Sequence, residues 1–105
     1  AFTLAWLKRY ERKMPITLSA LHVNDVSLLH LPGEPFVEYQ LGAQVLFPKR
    51  FVAIAGYGDG GPWYLPTAEA FTQGGYEVGV AFCDPQVDRI LSDGIQQLLK
   101  RKLIE

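Results

Sequence analysis

The sequence predicts an α/β fold built as a single unit of 105 residues. Three observations support this: apolar residues recur at helical spacing near both ends, alternating apolar and polar residues flank Asn24-Asp25, and residues 51–55 are almost wholly apolar. The predicted order is a helix, a β-hairpin, a helix, a buried strand, a long glycine- and aromatic-rich loop, a short strand and a C-terminal helix. A chain of this length can bury roughly two-thirds of its unfolded surface in one core.

The first elements are a helix and a hairpin. The apolar side of a helix over residues 2–12 is formed by Phe2, Ala5, Trp6 and Tyr10, and Pro15 ends it. Alternation over residues 16–23 then predicts a half-buried strand, and a second strand follows at 26–31. Because only Asn24-Asp25 separates the two strands, we expect a tight antiparallel hairpin.

A second helix is predicted to begin at Pro35, since a proline in the first helical turn loses no hydrogen bond. Its apolar stripe is Val37, Leu41 and Val45, and it stops before Pro48. Glu34 then lies at the strand-to-helix junction, near the cap position, where the amides of a new helix favour an anion. The apolar run at 51–55 predicts a strand buried on both faces.

The remaining chain is a long loop and a final helix. Residues 56–77 combine many glycines with aromatic side chains, which is typical of a functional loop rather than a disordered one. We expect a helical turn at 67–71 and a short strand at 78–82. Asp84-Pro85 predicts the start of the last helix, which ends at Lys100-Arg101-Lys102. Its apolar stripe is Val87, Ile90, Leu91, Leu98 and Leu99.

Composition excludes several classes of protein. A net charge of -1 leaves no excess positive charge for a phosphate backbone, so we expect no nucleic-acid partner. The lone Cys83 excludes a disulfide scaffold. No apolar run approaches the roughly 20 residues of a membrane helix, so no transmembrane segment is expected. The sequence begins at Ala1, partway into a helical pattern, and we expect it to be a piece of a larger domain.

Two familiar motifs are weak here. Residues 56–61 satisfy GxGxxG, but the following Pro62–Pro66 stretch is not the helix start that a dinucleotide site requires. A structural glycine loop is therefore the favoured interpretation. The only histidines are His22 and His30, too few for a complete local zinc site. His30 lies four residues before Glu34 and could converge with it on a metal, although a structural role is favoured.

Glu34 has two interpretations that the residues alone do not separate. The Pro-Gly-Glu-Pro sequence places its carboxylate in a rigid turn, either as a helix cap or as a metal ligand or base. Tyr64 and Tyr76 lie in the glycine-rich loop, where a tyrosine usually packs through its ring and hydrogen-bonds through its hydroxyl.

The motifs together resemble a known family. They are Leu31-Pro32-Gly33-Glu34, the apolar strand, Gly56 to Thr67 and Gly75-Tyr76-Glu77. They are similar to the later part of the catalytic domain of neutral/alkaline ceramidases, and most similar to bacterial ceramidase-like relatives. The spacing of twelve residues from Tyr64 to Tyr76 matches the family without a gap. The similarity is strongest over residues 31–77.

The resemblance implies a zinc-dependent hydrolase of N-acyl amides such as sphingolipids. Glu34 and Tyr64 would be zinc ligands, and Tyr76 would contact the substrate amide and stabilise its developing oxyanion. The family's two zinc histidines lie upstream of the part that this sequence matches, so His22 and His30 do not take their places. The chain would then carry half of the metal site and be inactive alone.

Two kinds of partner follow from this interpretation. The missing upstream part of the domain would cover the chain, or the chain would associate with itself. The alternative is a non-catalytic α/β binding or interaction module, in which Glu34 is a helix cap and the long loop is a docking surface.

Overall fold

The chain forms the mixed α/β fold that the sequence predicts, with helices at both ends. The computed structural model describes residues 2–58 and 62–101. Within these ranges the helices are α1 (Phe2–Glu11), α2 (Val37–Leu46), α3 (Ala68–Gln73), α4 (Tyr76–Gly79) and α5 (Gln86–Lys100). The strands are β1 (Ser19–Val23), β2 (Val26–His30), β3 (Glu34–Pro35), β4 (Phe51–Ala55) and β5 (Tyr64–Leu65). In the part of the chain described, no helix is long and apolar enough to cross a membrane.

The main sheet has the order β1-β2-β4. β1 and β2 form the predicted antiparallel hairpin, with Ser19 opposite His30 and Val23 opposite Val26. Asn24 in the turn adopts a positive φ of 52°, which asparagine tolerates better than most residues. β4 runs parallel to β2, and α2 lies in the connection between them, as a parallel crossover requires.

The core lies between this sheet and the helices α2 and α5. It is formed by Leu29, Leu31, Tyr39, Ala43, Val52, Leu65, Leu91, Ile95, Leu98 and Leu99. The predicted stripe of α5 is confirmed for Leu91, Leu98 and Leu99. It is wrong for Ile90, which is 59% exposed, and Ile95 lies in the core instead. The basic end is confirmed at Lys100 and Arg101, while Lys102 lies outside the described residues.

α2 starts later than predicted and presents a different face to the core. Pro35 belongs to β3, and Phe36 is the residue that precedes the helix. The predicted stripe is wrong, because Val37, Leu41 and Val45 are 62%, 58% and 77% exposed. The buried face carries Tyr39 and Ala43, flanked by the half-buried Gln40 and Gln44. Tertiary contacts of the face that carries these residues, rather than the apolar periodicity, thus determine which side of α2 is buried.

The side chains of Gln40 and Gln44 hydrogen-bond to the backbone amides and carbonyls on the outer edge of β4. Gln40 donates to the carbonyl of Val52 and accepts from the amide of Ile54, both at 2.6 Å. Gln44 accepts from the amide of Val52 at 2.9 Å and donates to the carbonyl of Arg50 at 2.6 Å. β4 is therefore an edge strand of the described sheet, covered by side chains. The prediction that it is buried on both faces is wrong: Phe51 is 66% exposed.

The first helix is confirmed, but its predicted apolar side is mostly exposed. Ala5 is exposed, Tyr10 is 78% exposed, and only Trp6 is half-buried. The side chain of Phe2 lies outside what the structure describes. The Arg9 guanidinium lies 5.7 Å from the Trp6 ring centroid and donates to the carbonyl of Pro15 at 2.8 Å, which holds the chain that follows α1.

The long loop contains more regular structure than predicted. β5 lies within it, and the predicted helical turn is α3, whose first turn is capped by the Thr67 hydroxyl. The predicted strand at 78–82 is wrong. Its start belongs to the one-turn helix α4, because the amide of Val80 bonds locally to the carbonyl of Tyr76 at 3.2 Å. The start of α5 is as expected, with the Asp84 carboxylate accepting from the amide of Gln86 at 2.9 Å.

Candidate functional site

Glu34 and Tyr64 lie directly opposite each other on neighbouring strands. β3 and β5 form a two-stranded parallel sheet in which Glu34 pairs with Tyr64. The amide of Glu34 donates to the carbonyl of Trp63 at 2.7 Å, and that of Phe36 to the carbonyl of Leu65 at 3.1 Å. Since adjacent strands lie about 4.8 Å apart and paired residues face the same side, the two side chains are neighbours.

The close approach of these strands depends on Gly33. Its φ of +57° is left-handed, and a Cβ atom there would lie 2.5 Å from the carbonyl oxygen of Trp63. Only glycine avoids both penalties. Trp63 also has a positive φ, of 61°. The backbone therefore turns sharply just before β3, which carries Glu34, and just before β5, which carries Tyr64.

β5 is fixed from both sides. The Cys83 thiol lies 3.7 Å from the carbonyl oxygen of Tyr64 as a weak donor. The Tyr39 hydroxyl, from the buried face of α2, donates to the carbonyl of Pro66 at 2.8 Å. Burial, together with the nearby Asp84, raises the pKa of Cys83 to about 11. Tyr64 is thus positioned by a backbone anchored to the core.

Tyr76 lies beside Tyr64. Their ring centroids are 6.2 Å apart at an interplanar angle of 75°, an edge-to-face contact. Gly75, with a φ of +111°, redirects the chain into α4 and places Tyr76 at its first position. Tyr76 remains 69% exposed. The three residues that the family resemblance singled out are therefore brought together, although they come from β3, β5 and α4.

The surroundings of Tyr64 are anionic. The nearby Glu34 carboxylate is the main cause of a raised pKa at Tyr64, followed by burial and by Tyr76 and Glu77. A concavity of about 480 Å³ is lined by Glu34, Tyr64, Glu77 and Glu38, together with Pro35, Phe36 and Val37. A phenolate at Tyr64 is disfavoured beside these carboxylates unless a cation offsets their charge.

Sequence reasoning missed Tyr57. Its hydroxyl donates to Glu34 Oε2 at 2.7 Å, and this hydrogen bond is the main cause of a raised pKa at Tyr57. Tyr57 belongs to the glycine motif that was interpreted as a structural loop, of which residues 59–61 lie outside the described chain. The flanking Gly56 and Gly58 were a signal of close backbone approach, but nothing in the sequence indicated which residue they approach.

The structure also excludes one of the two interpretations of Glu34, the helix cap. The helix-cap prediction is wrong, because Glu34 lies in β3 and Phe36 occupies the cap position without a side-chain hydrogen bond. The Glu34 carboxylate is instead exposed at the surface and engaged by Tyr57.

His22 belongs to a hydrogen-bonded cluster between the main sheet and α5. His22 Nδ1 lies 2.7 Å from Ser27 Oγ, and His22 Nε2 lies 3.1 Å from the carbonyl oxygen of Leu98, both within hydrogen-bond distance. Arg50 adds donors to Ser27 Oγ and the carbonyl of Leu99 at 3.2 and 3.3 Å, so this cluster ties α5 to the sheet. Among the described residues, no three His, Cys, Asp or Glu side chains form a group that could bind a metal ion.

The donors at Glu34 and Tyr64 suit zinc chemically but are incomplete. A carboxylate is an ordinary zinc ligand, whereas the phenol oxygen beside it is an uncommon one. Protein zinc sites use three or four protein ligands, so these two side chains fit one part of such a site.

Comparison with solved structures identifies one similar fold. A structure described as "Ceramidase complexed with C2" matches with a TM-score of 0.63 and 20% sequence identity. The match covers 74% of this chain and 13% of that chain. The fold is similar to that of a segment of a ceramidase. No family model matches the sequence, and no curated protein matches it.

Proposed function

We propose that this chain is part of a zinc-dependent N-acyl amide hydrolase of the ceramidase type. In this proposal Glu34 and Tyr64 are two of the zinc ligands, and Tyr76 contacts the substrate amide. The observation that supports it best is the pairing of Glu34 with Tyr64 across β3 and β5, within a fold similar to a ceramidase segment. The similarity covers a small part of that structure, so activity and substrate remain proposals.

Each side chain has a distinct chemical task. Bound zinc supplies a Lewis acid and an activated water. Glu34 contributes a negative charge and an oxygen donor, and Tyr64 contributes a phenol oxygen from a strand fixed by Tyr39 and Cys83. Tyr76, exposed and packed edge-to-face on Tyr64, can donate its hydroxyl to a carbonyl oxygen that gains charge.

The chain alone should bind zinc weakly and be inactive. A complete structural zinc site provides about 10–16 kcal/mol, and half of it, about 5–8 kcal/mol, corresponds to a Kd of roughly 1 µM to 0.2 mM. Calorimetric titration of zinc into the chain should give a value in this range, and Glu34→Gln should weaken it. Nanomolar binding that Glu34→Gln abolishes would contradict the half-site proposal.

The ligand role of Tyr64 needs an active protein. In a longer, active protein that contains this segment, Tyr64→Phe should lower the turnover of an N-acyl amide and release zinc more readily. Tyr10→Phe, at a 78% exposed position on α1, is the matched control and should do neither. Full activity with Tyr64→Phe would show that the assignment is wrong.

The exposed side of α2 supports a covering partner. Val37, Leu41 and Val45 form an apolar stripe with more than half of each side chain exposed. We propose that a further part of the domain covers this stripe, or that two copies of the chain associate through it. Light scattering of the purified chain should show self-association that decreases with Leu41→Lys.

The exposed aromatic side chains of the long loop, Trp63 at 43% and Tyr76 at 69%, favour a second candidate function, a non-catalytic interaction module that docks through this loop. An autonomous module should be monomeric without its partner, and zinc should not bind to it at Glu34. A monomeric chain with no zinc binding would favour the module over the hydrolase.

A further inference from the structure

The Glu34 carboxylate has a dedicated hydrogen-bond donor. The Tyr57 hydroxyl donates to Oε2 at 2.7 Å, a short bond to an ionised acceptor. A carboxylate has about two lone-pair sites on each oxygen, so this bond uses one site on Oε2 and leaves both sites on Oε1 available to another group. Both side chains lie at the surface, and Tyr57 is 61% exposed. Burial of Tyr57 therefore does not explain its placement.

The backbone at Tyr57 is held in an unfavourable conformation. Its φ of +59° is left-handed, a strained conformation for a residue other than glycine. Hydrogen bonds on either side maintain it: the amide of Tyr57 donates to the carbonyl of Gly33, and that of Gly58 to the carbonyl of Leu31, both at 2.8 Å.

The flanking glycines make this conformation possible. A Cβ atom at Gly56 would lie 3.0 Å from the carbonyl oxygen of Gly33, and one at Gly58 would lie 2.7 Å from the Cβ atom of His30. The loop is thus packed against the very turn that carries Glu34. Strained conformations of this kind concentrate at functional sites, where they place one side chain.

We propose that Tyr57 is a positioning residue that fixes the Glu34 carboxylate through Oε2 and leaves Oε1 for the ligand. This inference rests on the proposed function for the identity of that ligand, a divalent metal ion. Hydrogen-bonded partners of ligating carboxylates commonly change metal affinity by about 10- to 100-fold when they are removed.

The first test examines Glu34 without metal. Three-bond couplings between Hα and Hβ of Glu34, measured by NMR in the purified chain, should have the values of a single staggered rotamer because the side chain is held. Tyr57→Phe keeps the ring and removes only the hydroxyl, so the two couplings should become averages over several rotamers. The amide spectrum should remain that of a folded protein. Tyr10→Phe is the matched control and should leave both couplings at their wild-type values. Identical couplings in the wild type and Tyr57→Phe would overturn the proposal.

The second test uses Co²⁺ alone as the probe. Paramagnetic broadening of the Glu34 and Tyr64 signals reports even weak binding, and Tyr57→Phe should raise the Kd by about 10-fold. An unchanged Kd in a variant whose wild-type parent binds Co²⁺ would overturn the positioning role. No broadening at Glu34 or Tyr64 in the wild type would overturn the proposed metal site, while averaged couplings in Tyr57→Phe would still support the placement of Glu34.

Discussion

Gln40 offers a quantitative test of how α2 is attached to the sheet. Its side-chain amide makes two hydrogen bonds of 2.6 Å to the edge of β4, one to the carbonyl of Val52 and one from the amide of Ile54. Each such bond contributes about 1 kcal/mol net, and Gln40→Ala removes both. Alanine recovers a few tenths of a kcal/mol, roughly 0.3, through its helix propensity. We therefore expect the free energy of unfolding to fall by about 1.5–2 kcal/mol.

Urea denaturation followed by far-UV circular dichroism measures this change. With an m value of about 1.5 kcal/mol/M, the midpoint should fall by about 1 M urea. Gln97→Ala, at an exposed position of α5, is the matched control and should leave the midpoint almost unchanged. Gln40→Glu keeps an acceptor for Ile54 but loses the donor to Val52, so its midpoint should also fall. If Gln40→Ala and Gln97→Ala unfold at the same urea concentration, the edge-covering role is refuted.

Three further predictions concern the packing around β5. Cys83 should react with iodoacetamide at pH 8 about 100-fold more slowly in the folded chain than in urea, because burial raises its pKa from 9.0 to about 11. The stability that this shift contributes is present below pH 9 and is lost as the pH rises through about 11. Equal reaction rates in the folded and unfolded chains would contradict the shift. Gly33→Ala should destabilise the fold by about 2 kcal/mol or more. Gly42→Ala should stabilise it by roughly 0.5–1 kcal/mol, because Gly42 lies in α2 and a Cβ atom there would have no neighbouring atom within 4 Å. Calorimetric melting that shows the same sign for both variants would contradict the close approach at Gly33. Tyr39→Phe should cost about 1 kcal/mol in urea denaturation because it removes a buried hydrogen bond, and Tyr10→Phe should cost nothing measurable; equal midpoints would exclude that bond.

The electrostatics around Tyr64 are consistent with a site that needs a cation. Glu34 raises the pKa of Tyr64, and Glu38 and Glu77 line the same concavity. A divalent cation between Glu34 and Tyr64 would lower the pKa of Tyr64, opposite to the effect of these carboxylates.

Some elements could be predicted because their signals are local. Asn24-Asp25 between two alternating segments identifies the hairpin, and Asp84-Pro85 identifies the start of α5. The face of α2 could not be predicted in this way. Gln40 and Gln44 look like solvent-facing residues in the sequence, yet they turn inward because β4 has no further strand on that edge in the described sheet.

The candidate site, too, could be predicted from the sequence only in part. The resemblance to a family indicated Glu34, Tyr64 and Tyr76, but the sequence did not show that the first two pair across strands. Tyr57 could not be identified at all, because its hydrogen bond to Glu34 joins residues far apart in the sequence. Such a contact depends on how the loop after β4 folds back over Gly33.

The sequence by itself determined the α/β class, the hairpin, the final helix and the three residues worth examining. The class, the hairpin and the helix follow from apolar periodicity, turn residues and caps, which act over a few neighbouring positions, whereas the three residues follow from the family resemblance. Only the tertiary structure decided which face of α2 is buried, that Glu34 lies in a strand rather than at a helix cap, and that Tyr57 engages its carboxylate. These contacts depend on the pairing of β3 with β5 and on close backbone approach at Gly33, which no local pattern encodes.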